Sequence, residues 1–192
     1  MILDLDRVPT WHDREEHVAN VVVESPLGSG VKLKYDAAIG AFVLKRPLSL
    51  GLVFPFEFGF FPGTVAEDGD PLDAAVLTDG GSYPGVVLRC RPIGVLRAKQ
   101  RAEDTSLKKG RVRNDRVLLV ASEDRRRNGL HDIADLADRE REEIEQFFVR
   151  SVALEEKELA LHGWGDATAA RRTIAGSLAI RKNPPRWSDR VG

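Results

Sequence analysis

The sequence predicts a mainly β fold with α, a barrel of short strands followed by two helices. Three observations carry this. Short apolar runs punctuated by Gly and Pro recur from residue 17 to about residue 121. A polar break follows at Ser122-Glu123-Asp124 and Arg125-Arg126-Arg127. Beyond it, apolar residues recur at helical spacing.

Each element has its own signal. Val21-Val22-Val23 is a β-branched run, residues 31–34 alternate apolar and polar, and residues 41–44 are apolar after Gly40. Residues 74–77 follow a Pro and an Asp, residues 86–88 and 93–96 flank Arg89-Cys90-Arg91-Pro92, and residues 117–120 form the last apolar run. Many short strands between turn residues read as a sandwich or a closed barrel. From Ile133 to about Val152, Ile133, Leu136, Ala137, Ile144, Phe147 and Phe148 line one helical face. Residues 166–179 predict a second helix, with Asp166 as its N-cap and alanines within. Residues 1–180 are expected to form a single domain. Residues 181–192, which contain Pro184-Pro185, are expected to form a C-terminal tail.

Composition narrows the function. The 192 residues are 42% hydrophobic and 31% charged, a globular rather than a disordered balance. With 29 Lys+Arg against 30 Asp+Glu, the net charge is -1, which lacks the basic footprint of a nucleic-acid binder. The single cysteine, Cys90, excludes a disulfide framework and a Cys-based zinc site. His12, His17, His131 and His162 stand at no metal-ligand spacing. No window approaches the ~20 apolar residues of a membrane helix, and Asp4, Asp6 and Asp13 interrupt the N-terminus where a signal peptide would be apolar. A cytoplasmic protein without membrane or nucleic-acid partners is therefore expected. A site of carboxylates and hard cations remains open.

Glu67-Asp68-Gly69-Asp70-Pro71-Leu72-Asp73 is the sharpest feature. Gly69 and Pro71 make it a turn. Two carboxylates 4 Å apart repel by about 1 kcal/mol even in water, so either solvent or a cation must relieve the cluster. An EF-hand loop is excluded, because its fifth and sixth positions hold Leu72 and Asp73. The open readings are an exposed acidic turn and a Mg²⁺ site that holds a phosphate ester or anhydride. Lys34, Lys45 and Arg46 lie upstream on or beside predicted strands, where each can snorkel to solvent or face a cleft. Residues 54–64 hold five of the eight phenylalanines and read as core packing around a tight turn.

These residues resemble family I soluble inorganic pyrophosphatases. The matches are Val22-Val23-Glu24 with Pro26, Lys34-Tyr35-Asp36, Arg46, Phe54-Pro55, Phe58-Gly59-Phe60 with Thr64, and Asp68-Gly69-Asp70-Pro71-Leu72-Asp73. Pro84-Gly85, residues 89–96, Phe147-Phe148 and Gly163-Trp164 follow in the family's order. The resemblance implies an OB-like five-stranded β-barrel with C-terminal helices packed outside. It implies hydrolysis of pyrophosphate to two phosphates with several Mg²⁺ ions, or Mn²⁺, in a homo-oligomer, commonly a hexamer. It implies that Asp68 and Asp73 bind metal and that Asp70 is the general base. Lys34 and Arg46 would hold phosphate, with Glu24 at the cleft edge and Asp36 toward a further ion.

The sequence also departs from the family pattern. Asp36 stands for a Glu, Phe54 and Phe58 for two tyrosines, Glu57 for an Asn, and Gln100 for a metal-binding Asp. Asn114 and Arg116 are the best match to a second metal Asp and its nearby Lys, with Asp104 or Asp115 as substitutes, and Ser151-Val152 replaces a Tyr-Lys pair. On that matching Asn114 falls to the metal site and Arg116 to the substrate. Two further readings stay open: a binding or assembly relative without turnover, and a hydrolase of another phosphoanhydride.

Overall fold

The structure, a computed structural model, describes residues 5–101, 111–153 and 158–179. Its strands are β1 (Trp11–Asp13), β2 (Val18–Ser25), β3 (Val31–Asp36), β4 (Ala41–Pro47), β5 (Glu57–Phe60), β6 (Asp73–Leu77), β7 (Val87–Arg101), β8 (Arg111–Arg113), β9 (Arg116–Ala121) and β10 (Leu159–Gly165). The α-helices are α1 (Asp138–Ser151) and α2 (Ala167–Ala179). Five strands close a ring in the order β2-β5-β6-β9-β7, with β7 returning to pair with β2. All of these pairings are antiparallel except β6 with β9. Closure leaves no free edge in the ring. The expected OB-like barrel with C-terminal helices is therefore present.

Successive residues of the ring strands bury on opposite faces. Ala74 and Val76 of β6 join Val117 and Leu119 of β9 in one cluster, which also receives Ala170 and Ile174 of α2. Ala75 and Leu77 join Leu118 and Val120 in the other, against Ile144, Phe147 and Phe148 of α1. Burial on both faces is why these strands read as continuous apolar runs. The ring also needs a close approach at Gly59, where a Cβ would stand 1.9 Å from the Val22 carbonyl oxygen. Only glycine lets β5 lie so near β2.

Two boundaries differ from expectation. Residues 87–88 of the first run and the run at 93–96 are parts of one 15-residue strand, β7, despite Pro92. On one edge β2 pairs with Val87–Cys90 and β10 only from Val95 onward, so Pro92 falls where no ladder donor is required. Opposite β9 the register shifts between Pro92 and Gly94, a bulge that absorbs the irregularity. The helix expected from Ile133 is instead a 3-10 turn at Ile133–Asp135, with α1 starting at Asp138. Asp132 and Asp135 close a capping box around the short turn, and extended Leu136 ends it. Asp138 and Glu140 then favour a new N-terminus through the helix dipole. Asp166 caps α2 as expected, accepting from the Ala169 N–H at 2.6 Å.

The expected tail at 181–192 and Asp104 lie outside the described residues. The flanks of the 99–114 segment are paired, Lys99 opposite Arg113, as β7 and β8. Among the described residues, no helix is long and apolar enough to cross a membrane.

Candidate active site

The acidic turn joins β5 to β6 and is braced from inside. Thr64 Oγ1 donates to the Phe61 carbonyl at 2.7 Å and accepts from the Leu72 N–H at 3.0 Å. The Ala66 N–H donates to the Asp70 carbonyl at 2.7 Å and the Gly69 N–H to the Ala66 carbonyl at 3.1 Å. Gly69 has φ +87°, a conformation that side chains disfavour, so glycine sets the turn. Outside it, the Arg113 N–H donates to Glu67 Oε2 at 2.8 Å. Asp73 opens β6, so the turn is anchored at a strand end.

Asp68, Asp70 and Asp73 line a cleft with Lys32, Arg46, Phe54, Phe58 and Arg116. Leu48, Gln100, Asn114, Phe147, Phe148, Ser151 and Val152 complete its wall. An adjoining hollow is lined by Glu24, Lys32, Lys34, Tyr35, Asp70 and Asp73. The structure thus brings together Glu24, Lys34, Arg46, Asp68, Asp70, Asp73, Asn114 and Arg116. Asp36 lines neither cavity; at the end of β3, its Oδ1 accepts from the Ala38 N–H at 2.9 Å.

Each aspartate has partners of a different kind. Asp68 Oδ2 accepts from Asn114 Nδ2 at 2.9 Å and from Gln100 Nε2 at 3.5 Å. Burial, then the charges of Asp73 and Asp70, push its carboxyl up to about 6. Asp70 takes the Lys34 ammonium on both oxygens, at 2.9 and 2.8 Å. Asp73 stands 3.9 Å from Arg116 Nε; burial pushes its carboxyl up, while Arg116 and Lys32 oppose the rise. Arg116 is itself buried, which lowers its guanidinium from the usual range, and its Nε has no hydrogen-bond partner. Its NH1 donates to the Asn114 carbonyl, and its guanidinium carbon lies 5.2 Å from the Phe148 ring centre.

The cations come from the β3–β4 hairpin. Lys32 pairs directly opposite Arg46. Like charges facing across an antiparallel pair are destabilising, so this register fits a place where an anion sits between them. Lys32 extends over Phe58, 5.7 Å from its ring centre. Arg46 NH2 donates to the Ser151 carbonyl at the end of α1, at 2.7 Å. Lys32 is the site residue that sequence reasoning passed over. Its signal was the i, i+2 spacing with Lys34, which puts both on one face of a strand.

The aromatic wall is tight. Phe54 stacks on Phe58 at 5.5 Å and tilts against Phe147 at 5.0 Å. Glu57, one residue before Phe58, is fully buried and accepts from the Ser82 N–H at 2.6 Å, with Oε2 unpaired; it does not line the cleft. Asp115 also faces elsewhere, accepting from the Ala98 N–H at 3.1 Å and from Arg113 Nε at 2.6 Å. A larger cavity, about 320 Å³, lies between Glu67, Arg113 and the Arg172–Ser177 side of α2. It holds none of the three aspartates, so the chemistry converges on the smaller cleft.

The donor set suits a hard divalent cation, because carboxylate oxygens without imidazole or thiolate favour Mg²⁺ or Mn²⁺. Among the described residues, no three such side chains converge closely enough to hold an ion unaided. The charge of Asp73 raises Asp68's cost of ionisation and that of Asp70 raises both, which a cation relieves, and Mg²⁺ completes its shell with water and phosphate oxygens. The residues fit the group on these terms.

The sequence matches the model of the inorganic pyrophosphatase family over residues 21–181. It is 39% identical over 167 residues to the inorganic pyrophosphatase of Sulfolobus acidocaldarius, covering 86% of this chain and 91% of that one. It is 36% identical over 173 residues to the inorganic pyrophosphatase of Thermus thermophilus, covering 88% and 94%. The structure is similar to the crystal structure of inorganic pyrophosphatase from Thermus thermophilus, with a TM-score of 0.84 at 34% identity, over 94% of this chain and 100% of that one. An inorganic pyrophosphatase from Neisseria gonorrhoeae gives a TM-score of 0.81 at 28% identity, over 92% and 98%. With the family match spanning most of the sequence and these relatives aligned nearly end to end, the chain belongs to the inorganic pyrophosphatase family.

Proposed function

We propose that the chain hydrolyses inorganic pyrophosphate to two phosphates with the help of Mg²⁺ or Mn²⁺. The observation that carries this is the facing of two charge sets: Asp68, Asp70 and Asp73 line one cleft with Lys32 and Arg46. In this reading Asp68 and Asp73 supply carboxylate oxygens to divalent ions, and Asn114 adds an amide carbonyl. A divalent ion bound there acidifies a water and neutralises phosphate oxygens. Asp70 takes the proton of the water that attacks phosphorus, and the bridging oxygen leaves with the second phosphate. Lys32, Lys34, Arg46 and Arg116 hold phosphate oxygens by charge-assisted hydrogen bonds. Glu24 borders the lysines from β2; Asp36 receives no role. Assembly into a homo-hexamer belongs to the same reading, and sedimentation tests it.

Phosphate release from pyrophosphate with Mg²⁺, compared with Asp70→Asn, tests the activity. Equal rates for the two proteins would refute it. The amide contacts on Asp68 favour one second reading, a relative that binds pyrophosphate without turnover. Calorimetry that finds tight binding, with no phosphate released, would select it. A substrate panel separates a third reading, cleavage of another phosphoanhydride against the apolar Phe54–Phe58 wall.

A further inference from the structure

Lys34 can serve a phosphate or a carboxylate, and before any solute arrives it stands on the carboxylate. Its Nζ is 2.9 Å from Asp70 Oδ1 and 2.8 Å from Oδ2. One compact charge placed evenly on both oxygens is the position a bound cation takes on a bidentate carboxylate. The hairpin holds it there, since Lys34 pairs opposite Val43 on β4 and sits beside the acidic turn in the hollow shared with Asp73. The neighbouring aspartates also have protein partners. Two amides reach Asp68, and Arg116 faces Asp73. These contacts are weaker in charge or longer than the one on Asp70. Neutral amides add no charge, and Arg116 Nε lies at 3.9 Å.

We propose that Lys34 is the resident counter-cation of Asp70. It fills the place beside this carboxylate that a divalent ion would otherwise take, so the free cleft takes up divalent ions more weakly, or in smaller number, than its three aspartates allow. The inference rests on the reading that Asp68 and Asp73 hold divalent ions. Its physical basis is direct. A fixed positive charge within a few ångströms of an arriving divalent ion repels it, and the ion cannot share oxygens already occupied by the ammonium. When a phosphate enters, the same side chain can pass from carboxylate to phosphate oxygen, because half-exposed ion pairs are only weakly held.

The test is Mn²⁺ uptake by the full chain without substrate, read from the electron paramagnetic resonance signal of free Mn²⁺. Lys34→Met removes the charge and keeps the stem, and Lys34→Gln is a second neutral variant. Lys34→Arg keeps the charge. We expect both neutral variants to gain one bound ion per chain or to bind about fivefold more tightly, the effect of removing a pair worth about 1 kcal/mol. Lys34→Arg should behave as the parent protein. Asp68→Asn added to Lys34→Met should remove the gain, which places it in the cleft. Circular dichroism checks that each variant is folded. Equal uptake by the parent and both neutral variants overturns the inference and leaves the metal reading intact. No uptake by the parent or by any variant overturns the metal reading, and the inference with it.

Discussion

Glu24→Gln tests the electrostatics of the cleft without touching the acidic turn. Glu24 lies on β2, 9% exposed, and its Oε1 accepts from the Tyr35 N–H at 2.8 Å. Burial pushes its carboxyl from an ordinary 4.5 to about 7, against the Tyr35 N–H and Lys32, which pull it down. Between these two values the folded protein keeps a proton that the unfolded chain releases. Stability therefore falls as pH rises through this window, and the loss is complete above pH 7. At about 1.4 kcal/mol per pH unit, the cost of holding the carboxylate ionised is roughly 3 kcal/mol. Glutamine keeps the acceptor for Tyr35 and removes the charge. Its amide group brings donors toward Lys32 and Lys34, which offsets part of the gain, leaving about 1–2 kcal/mol at pH 8 and close to none at pH 4.5. Urea unfolding of the metal-free protein with chelator, at pH 4.5, 6 and 8, measures the difference. A stability change that is the same at all three pH values, or that favours the parent at pH 8, would refute the reasoning.

Three further perturbations have distinct readouts. Asp70→Asn should lower the rate of phosphate release by about 10²–10⁴ while leaving the melting temperature nearly unchanged, because its ion pair with Lys34 is exposed. Arg116→Gln should reduce kcat/KM for pyrophosphate by about 10- to 100-fold, the effect of one charge-assisted hydrogen bond, measured in the same assay. Gly59→Ala should destabilise the barrel by about 3 kcal/mol or more in urea unfolding, since its Cβ would lie 1.9 Å from a backbone oxygen of β2.

How much of this was legible depended on how local each signal is. The acidic turn was legible because its chemistry and its backbone instruction lie within seven residues: carboxylates, a Gly at positive φ and a Pro. The barrel strands were legible because both faces of β6 and β9 are buried, which produces unbroken apolar runs. β7 was not, because Pro92 reads as a break and only the gap between its partners on one edge shows why it is tolerated. Lys32 was missed for a similar reason. A lysine among apolar residues reads as snorkelling, and its value comes from Arg46, fourteen residues away in sequence but directly opposite in the hairpin. The roles of Gln100 and Asn114 were legible only as departures. Their joint approach to one oxygen of Asp68 depends on β7 and β9 bringing them beside the turn.

Burial separates the three aspartates into different kinds of group. Asp68 and Asp73 are pushed up by burial and by neighbouring negative charge, so in the metal-free protein each gains from an added cation more than an exposed carboxylate would. Asp70 is the outlier, with its side chain 52% exposed and its partner Lys34 37% exposed. A pair this accessible is worth at most about 1 kcal/mol, so it can open at little cost when a phosphate competes for the ammonium. The same exposure gives a water readier access to the Asp70 oxygens than to those of Asp73, whose side chain is 24% exposed. Arg116 faces Asp73 from the buried side and opposes the rise of its carboxyl. Its orphaned Nε beside Asp73 is costly alone, and a phosphate oxygen arriving between Arg116 and Arg46 would satisfy it. In the proposed reading, the unpaired Arg116 Nε favours anion binding, and Asp70, the most exposed of the three aspartates, takes the proton.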